Sequence, residues 1–150
     1  MTDHLEFFEI EDGPGSYNMP YTPAIAVRSG TTVYVAGVTA APVYHSHPHV
    51  ASEFDEIPFD PGSQAERAME NLQTALRTTG GELSDVVELT RFMVNQQENA
   101  SAVGAVMARY FGDHRPASTS VEVVGLATDP RLILELKAVA VVPDERYRSH

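Results

Sequence analysis

The chain has 150 residues, with 21 acidic against 10 basic side chains and a formal charge of −11 at pH 7. This length predicts a single domain over residues 1–150, and this charge disfavours binding to nucleic acid or to an anionic membrane surface. The chain has no cysteine, which excludes disulfides, thiolate nucleophiles and Cys-ligated metal centres. No apolar stretch is long enough to cross a bilayer and the acidic start is unlike a secretory signal, so we expect a cytoplasmic protein.

The negative charge is concentrated in residues 1–60, which hold nine carboxylates and a single base, Arg28. We interpret this region as an acidic lead-in (residues 1–18) and a long acidic loop (residues 40–62) attached to a nearly neutral body. The pattern favours a solvated surface over a dedicated cation or partner site.

The first third of the chain is predicted to be rich in turns and strands. Glycine and proline dominate residues 1–23. Residue type and alternation predict three short strands, near residues 7–10, at 24–28 and at 31–38. The last two are predicted to be joined by a two-residue hairpin turn at residues 29–30.

Two amphipathic helices follow the loop. Apolar residues at spacings of three and four predict the first over residues 63–79, with a capping box at Ser63 and Glu66 and a stop at Gly80. The same kind of spacing predicts the second over residues 100–111.

Three more strands complete the pattern, at residues 86–94, 118–124 and 132–142. The resulting order, β-β-α-β-α-β-β with one further short edge strand near the start, predicts an α+β sandwich with both helices on one face of a mixed sheet. The last strand is apolar on nearly both sides and no third helix is available. We therefore expect another subunit to cover the second sheet face.

Polar side chains interrupt these strands at regular positions. Because side chains alternate between the two faces of a strand, polar residues two positions apart share a face. This holds for Ser118, Ser120 and Glu122 in one strand, and for Glu135 and Lys137 in the last. Arg91 interrupts the strand at 86–94 in the same way. Charged side chains on apolar strands must be paired with an opposite charge, exposed to solvent or beside a cavity. Two interpretations stay open: structural ion pairs, such as Glu88–Lys137 or Glu135–Arg91, or a polar pocket built from these strands.

Three histidines alternate in the long loop, at positions 45, 47 and 49. In an extended segment they would face the same way, and imidazole is a common metal ligand. However, Pro48 separates two of them, and no cysteine or fixed helical pair supports them. The pattern favours a solvated, disordered or pH-sensitive loop over a metal site, and we predict no metal and no cofactor.

Seven segments of the chain resemble those of a known family. No single segment is specific for that family, but the order and spacing of the seven are specific. They are residues 19–22, 33–37, 68–72, 85–92, 110–117, 121–123 and 135–141. Over roughly residues 19–143, the chain resembles the RidA/YjgF family of small trimeric proteins.

The resemblance implies a chorismate-mutase-like sandwich, assembled as a homotrimer with small-molecule pockets between neighbouring subunits. It implies hydrolysis of reactive enamines and imines, such as 2-aminoacrylate, to ketones and ammonia. In that chemistry an arginine grips the substrate carboxylate, a glutamate positions the attacking water and a tyrosine shapes the pocket. By position, the glutamate is Glu135 and the tyrosine is Tyr21, and the candidate substrate-binding residues are Gly37, Val38, Arg91, Ser118, Ser120 and Glu122.

The chain departs from the family pattern at four of its positions. Ser118 stands where the family has its arginine, and Ser120 stands where deaminating members commonly have a thiol. Gly104 replaces an asparagine of the second helix, and Val38 replaces a glutamine. Arg91 could stand in for the missing arginine, provided that its strand register points it into the cavity.

We therefore predict a RidA-like enzyme that acts on a small imine, an enamine or a related unsaturated metabolite, with altered specificity. Two alternatives stay open: a non-catalytic trimeric protein that binds a small molecule or a partner, and a specialised pathway enzyme that reuses the cleft. The missing arginine favours the non-catalytic protein, whereas the retained Glu135 disfavours it. A chain of charge −11 without a basic stripe is poorly suited to RNA, which disfavours ribonuclease activity.

Overall fold

The computed structural model describes residues 3–10 and 18–150, so part of the predicted acidic lead-in lies outside the described residues. The strands are β1 (Leu5–Phe8), β2 (Ala24–Val27), β3 (Thr31–Val38), β4 (Val86–Met93), β5 (Ala117–Glu122) and β6 (Leu134–Val142). The helices are α1 (Pro61–Arg77) and α2 (Gln96–Phe111), and short 3-10 turns cover Ala51–Phe54 and Leu83–Asp85.

The main sheet has the strand order β3-β6-β4-β5 and is mixed, because β4 and β5 are parallel whereas the other neighbours are antiparallel. One face of the sheet packs against α1 and α2, and alternate residues of β6 point toward these helices. The core between this face and the helices is made mainly of Ala68, Met69, Leu72, Leu76, Leu89, Val103, Leu134, Leu136, Ala138 and Ala140. The structure confirms an α+β sandwich with both helices on one face.

The predicted hairpin between β2 and β3 is wrong. Strand β2 pairs with β1 in a separate two-stranded sheet, while β3 pairs with β6. The chain passes from one sheet to the other at Gly30, whose φ is +107°. A side chain there would lie 2.8 Å from the Val142 carbonyl oxygen, so the turn requires glycine.

Both helices begin earlier than predicted. Asp60 caps α1, since its carboxylate accepts from the Ser63 backbone N–H at 2.8 Å, so the predicted Ser63–Glu66 capping box is wrong. Pro61 fits the first helical position because it needs no N–H partner there. In α2 the Gln96 backbone N–H donates to the Glu122 carboxylate at 2.9 Å, which anchors a first turn that apolar spacing could not reveal.

The loop at residues 40–62 is mostly exposed to solvent, as expected, but it is fixed to the body at a few points, which corrects the expectation of a disordered loop. Phe54 and Ile57 are buried in a second apolar cluster with Leu132. The Asn71 side-chain amide, on α1, donates to the carbonyls of Thr39 and Ala41 at 2.8 and 3.0 Å. The loop is thus held to both α1 and the start of β6.

The sheet face turned away from the helices is largely open in the single chain. It includes Tyr34, which is 79% exposed, and the exposed Val121 and Lys137. Among the described residues, the end of β6 is covered: Val141 is buried, and its carbonyl accepts from the ring of His4 at 2.8 Å. No helix among the described residues has the length and apolarity that a membrane crossing requires.

Candidate functional site

Strand register answers the question of where Arg91 points. Arg91 lies beside Ser120 on β5 and beside Leu136 on β6. Neighbouring residues across a sheet point to the same face, and Leu136 is fully buried under the helices. Arg91 and Ser120 therefore face α2 and not the open side of the sheet.

Arg91 lies in a cleft of about 380 Å³ between α2 and the β4–β5 edge of the sheet, which we call the arginine cleft. Its Nε donates to the Ser120 hydroxyl at 3.0 Å, and its Nη1 lies 3.8 Å from the Met107 sulfur. Ser118 and Gly104 line the same cleft. This volume suits a small metabolite.

The arginine cleft is cationic although the chain as a whole is strongly acidic. Arg91 and Arg115 both line it, and among residues 3–10 and 18–150 no aspartate or glutamate does. Burial lowers the pKa of the Arg91 guanidinium from its ordinary value, but arginine stays protonated in proteins. Among residues 3–10 and 18–150, no carboxylate forms a salt bridge with Arg91. A half-buried cation without a counter-charge is a fitting receptor for an anionic group.

Two further cleft residues come from the segment before β5, and the strand patterns did not reveal them. His114 lines the cleft, and its Nε2 bonds to the Val86 carbonyl oxygen at 2.7 Å. Arg115 donates to the Asn18 side-chain oxygen at 3.1 Å. The available signal was their place in the segment 110–117, which carries the family resemblance.

Tyr21 lies beside the arginine cleft and is 37% exposed. It lines a neighbouring cavity that includes Thr90 and Thr119 of the open sheet face, and Ser118 lines both cavities. The Thr22 hydroxyl and backbone N–H donate to the carbonyls of Arg115 and Pro116, so the turn that carries Tyr21 is fastened to the start of β5.

Glu135 lies on the other face of the sheet, since its neighbour on β4 is Phe92 and not Arg91. Its carboxylate leans over Gly37, where any side chain would collide with it. Together with Val38 and His45 these residues line a cleft of about 190 Å³, which we call the glutamate cleft. Within one chain the polar strand residues therefore lie at two separate clefts, and a single pocket that combines them between subunits stays a prediction.

The ion pairs that were one interpretation of the polar strand residues do not form within the described part of one chain. Glu122 instead has a structural contact. None of the salt bridges in the described part of the chain joins Glu135 to Arg91 or Glu88 to Lys137. Glu122 accepts from the first turn of α2. Its role in substrate binding stays a prediction.

The three loop histidines come together, an arrangement that sequence spacing left open. The ring centroids of His45, His47 and His49 are 4.8 to 5.0 Å apart. Phe54 supports two of the rings, with centroids 5.1 Å from His45 and 5.5 Å from His49.

These features define a small α+β protein with a cationic, metabolite-sized cleft at one sheet edge and a carboxylate cleft elsewhere. A family model described as Endoribonuclease L-PSP matches residues 16–142. The chain belongs to this family, also called RidA/YjgF, and the chorismate-mutase-like fold implied by the resemblance is confirmed.

Relatives of known sequence and structure agree with this assignment. The chain is 30% identical over 131 residues to a RutC family protein of Pyrococcus abyssi, covering 81% of this chain and 85% of the relative. It is 29% identical over 123 residues to 3-aminoacrylate deaminase RutC of Acinetobacter baylyi, covering 82% and 87%. A Rid-family protein of unknown function from Yersinia pestis, YyfB, superposes with a TM-score of 0.74 at 26% identity, covering 93% of this chain and 99% of the other.

Proposed function

We propose that this chain is a RidA-type deaminase that hydrolyses a small, anionic imine or enamine at clefts between subunits of a cytoplasmic homotrimer. The observation that carries the proposal is the half-buried guanidinium of Arg91, which lacks a carboxylate partner among the described residues. The relative from Acinetobacter baylyi, named a 3-aminoacrylate deaminase, supports an amino-acrylate-like substrate.

Arg91 takes the place of the arginine that the family pattern has at Ser118. The two positions lie on adjacent strands, since Ser118 pairs with Leu89 and Ser120 with Arg91. The bond from Arg91 Nε to Ser120 leaves Nη1 and Nη2 to donate to a carboxylate. The anion is then gripped from β4 instead of β5.

Glu135 supplies the base from a neighbouring subunit, because in its own chain it lies on the sheet face opposite Arg91. It accepts a proton from a water molecule as the water oxygen bonds to the imine carbon and the C=N electron pair moves to nitrogen, and it returns this proton to the nitrogen to give a carbinolamine. Glu135 then carries the hydroxyl proton to the amino nitrogen, the carbon–nitrogen bond breaks as C=O forms, and ammonia and a ketone leave. Ser118, which lines the arginine cleft, and Tyr21, which lines the neighbouring cavity, orient the substrate.

An altered specificity follows from the small residues of the arginine cleft. A Cβ on Gly104 would have nothing within 4 Å, so the place of the family's asparagine is open space. Ser118 likewise leaves room where the family has an arginine. We infer a substrate bulkier than 2-aminoacrylate in its non-acidic part.

The first test is ammonia release from 2-aminoacrylate and larger 2-imino acids generated in situ. Arg91→Ala should lower kcat/KM by about 100-fold, and Glu135→Gln should lower kcat by at least about 100-fold. Arg77→Ala and Glu98→Gln, which remove exposed charges of the two helices, are the matched controls. A Glu135→Gln variant with normal turnover would rule out this residue as the base.

A rescue experiment isolates the role of Arg91. If Arg91 replaces the family's arginine, adding Ser118→Arg to the Arg91→Ala variant should restore a large part of the activity. Tight binding of a 2-oxo acid without any turnover would instead favour the non-catalytic binding protein.

A further inference from the structure

We propose that His45, His47 and His49 form a binding site for a divalent transition-metal ion of the zinc class. This inference does not rest on the deaminase activity, since it concerns another part of the fold. It changes the interpretation favoured by the sequence, a loop without metal.

The geometry of the three side chains carries the proposal. One ring nitrogen from each histidine lies within 4.8 Å of the others. Three nitrogens bound to one tetrahedral zinc ion at 2.0–2.1 Å would be roughly 3.3 Å apart. The rings of His47 and His49 are exposed, so rotation about their side-chain bonds can close the remaining gap without disturbing the core.

A hydrogen bond already prepares one ligand. His45 Nδ1 lies 2.9 Å from the Pro42 carbonyl oxygen, which can only accept, so Nδ1 carries the proton. The lone pair of this ring is therefore on Nε2, which is left for a ligand. Metal-bound histidines typically donate their other ring N–H to a carbonyl or carboxylate in this way.

Packing and hydrogen bonds also support the segment that carries the three histidine rings. Phe54, which is 1% exposed, packs against His45 and His49. The Glu53 carboxylate accepts from the Ser46 backbone N–H and hydroxyl, both at 2.9 Å, so the residue between two of the histidines is fixed.

The electrostatic environment favours a cation. The loop at residues 40–62 contains four carboxylates and no lysine or arginine. The Glu53 carboxylate, held by its two hydrogen bonds from Ser46, lies near His45 and His49. A three-imidazole set with a carboxylate neighbour suits Zn²⁺, whereas Mg²⁺ prefers oxygen ligands.

The position of the site relates it to the glutamate cleft. His45 lines that cleft together with Glu135 and Gly37. Three protein ligands leave one coordination position for water or another small ligand. A bound ion would also fix the loop that forms the rim of this cleft.

The test is calorimetric titration of Zn²⁺ into the chelator-treated, untagged full chain. We expect one ion per chain, no comparable binding of Mg²⁺, and affinity at least about tenfold weaker in each of His45→Ala, His47→Ala and His49→Ala. His150→Ala, which removes an exposed imidazole far along the chain, is the matched control and should bind as the unaltered protein does. Tetrahedral Co²⁺ absorption, lost in the same three variants, provides a second readout.

Two results would overturn the proposal. One is a Zn²⁺ affinity of the unaltered chain no greater than that of the triple variant His45→Ala/His47→Ala/His49→Ala. The other is retention of full affinity by His47→Ala and His49→Ala, whose exposed side chains can be removed without loss of folding. Because no readout uses catalysis, failure here leaves the proposed deaminase activity standing.

Discussion

Arg91 and His114 line the same cleft, yet burial affects their charges differently. Burial lowers the pKa of both groups. Arginine begins so far above neutrality that Arg91 remains a cation, whereas the ordinary value of 6.5 for His114 lies close to physiological pH. The cleft therefore holds its arginine charges and one imidazole that is kept neutral, and of Arg91 and His114 only His114 makes stability depend on pH.

We predict that His114 destabilises the fold as the pH falls below 6.5. Burial lowers its pKa in the folded chain, while the Val86 hydrogen bond and nearby Asp85 oppose the shift. Between the ordinary and the folded values, the unfolded chain binds more protons, so lowering the pH favours unfolding. Urea unfolding should show a smaller loss of stability between pH 7.5 and 5.5 for His114→Gln than for the unaltered protein.

His150→Gln is the control for this experiment, since it removes an exposed imidazole and should leave the pH dependence unchanged. An identical pH dependence in His114→Gln and the unaltered chain would show that the folded state accommodates the proton without cost.

Alternation along single strands predicted part of the candidate site. Ser118 and Ser120 do share a face, and both line the arginine cleft. The side on which Glu135 lies relative to Arg91 was not predictable, because it depends on the register between β4 and β6. That register includes an irregularity between Val86 and Glu88, which no single-strand pattern reveals.

At the scale of elements, apolar periodicity located both helices and the main strands, because their buried faces are continuous. It failed at helix starts, which depend on polar caps such as Asp60 and Glu122. It also failed at β2, whose partner is the distant β1 and not its neighbour in sequence. Pairing between distant segments is set by the whole fold and leaves no local signature.

The loop at residues 40–62 depends on a buried residue of α1, Gln64. Its side-chain nitrogen donates to the carbonyls of Pro58 and Arg131 at 2.9 and 2.7 Å, and its oxygen accepts from the Ile133 N–H at 2.9 Å. Gln64→Ala leaves three backbone groups unpaired and should lower the free energy of unfolding by about 3 kcal/mol. Gln73→Ala, on the same helix, should change it by less than about 0.5 kcal/mol.

Denaturant unfolding measures both variants of this pair. A Gln64→Ala variant as stable as Gln73→Ala would mean that water replaces all three bonds and that the loop is held by Phe54 and Ile57 alone.

For the whole molecule, the open sheet face predicts association. Tyr34 is 79% exposed in the middle of β3, on the same side as Val121. We predict that light scattering on the unaltered protein gives three times 16.4 kDa, about 49 kDa. Tyr34→Glu should shift the mass to that of the monomer, whereas Phe59→Glu, an exposed aromatic residue outside the sheet, should not. A monomeric unaltered protein would contradict the proposed assembly.

The proposed trimer matters because neither cleft of one chain contains both the proposed anion receptor and the proposed base. If Arg91 of one subunit works with Glu135 of its neighbour, two inactive variants can complement each other. Arg91→Ala and Glu135→Gln chains, unfolded together and refolded at equal concentration, should recover about one quarter of the normal activity, the fraction of interfaces that pair an intact Arg91 with an intact Glu135. Each variant refolded alone should stay inactive. If verified mixed trimers recover no activity, then either Arg91 and Glu135 act within the same subunit or they do not act together in one site.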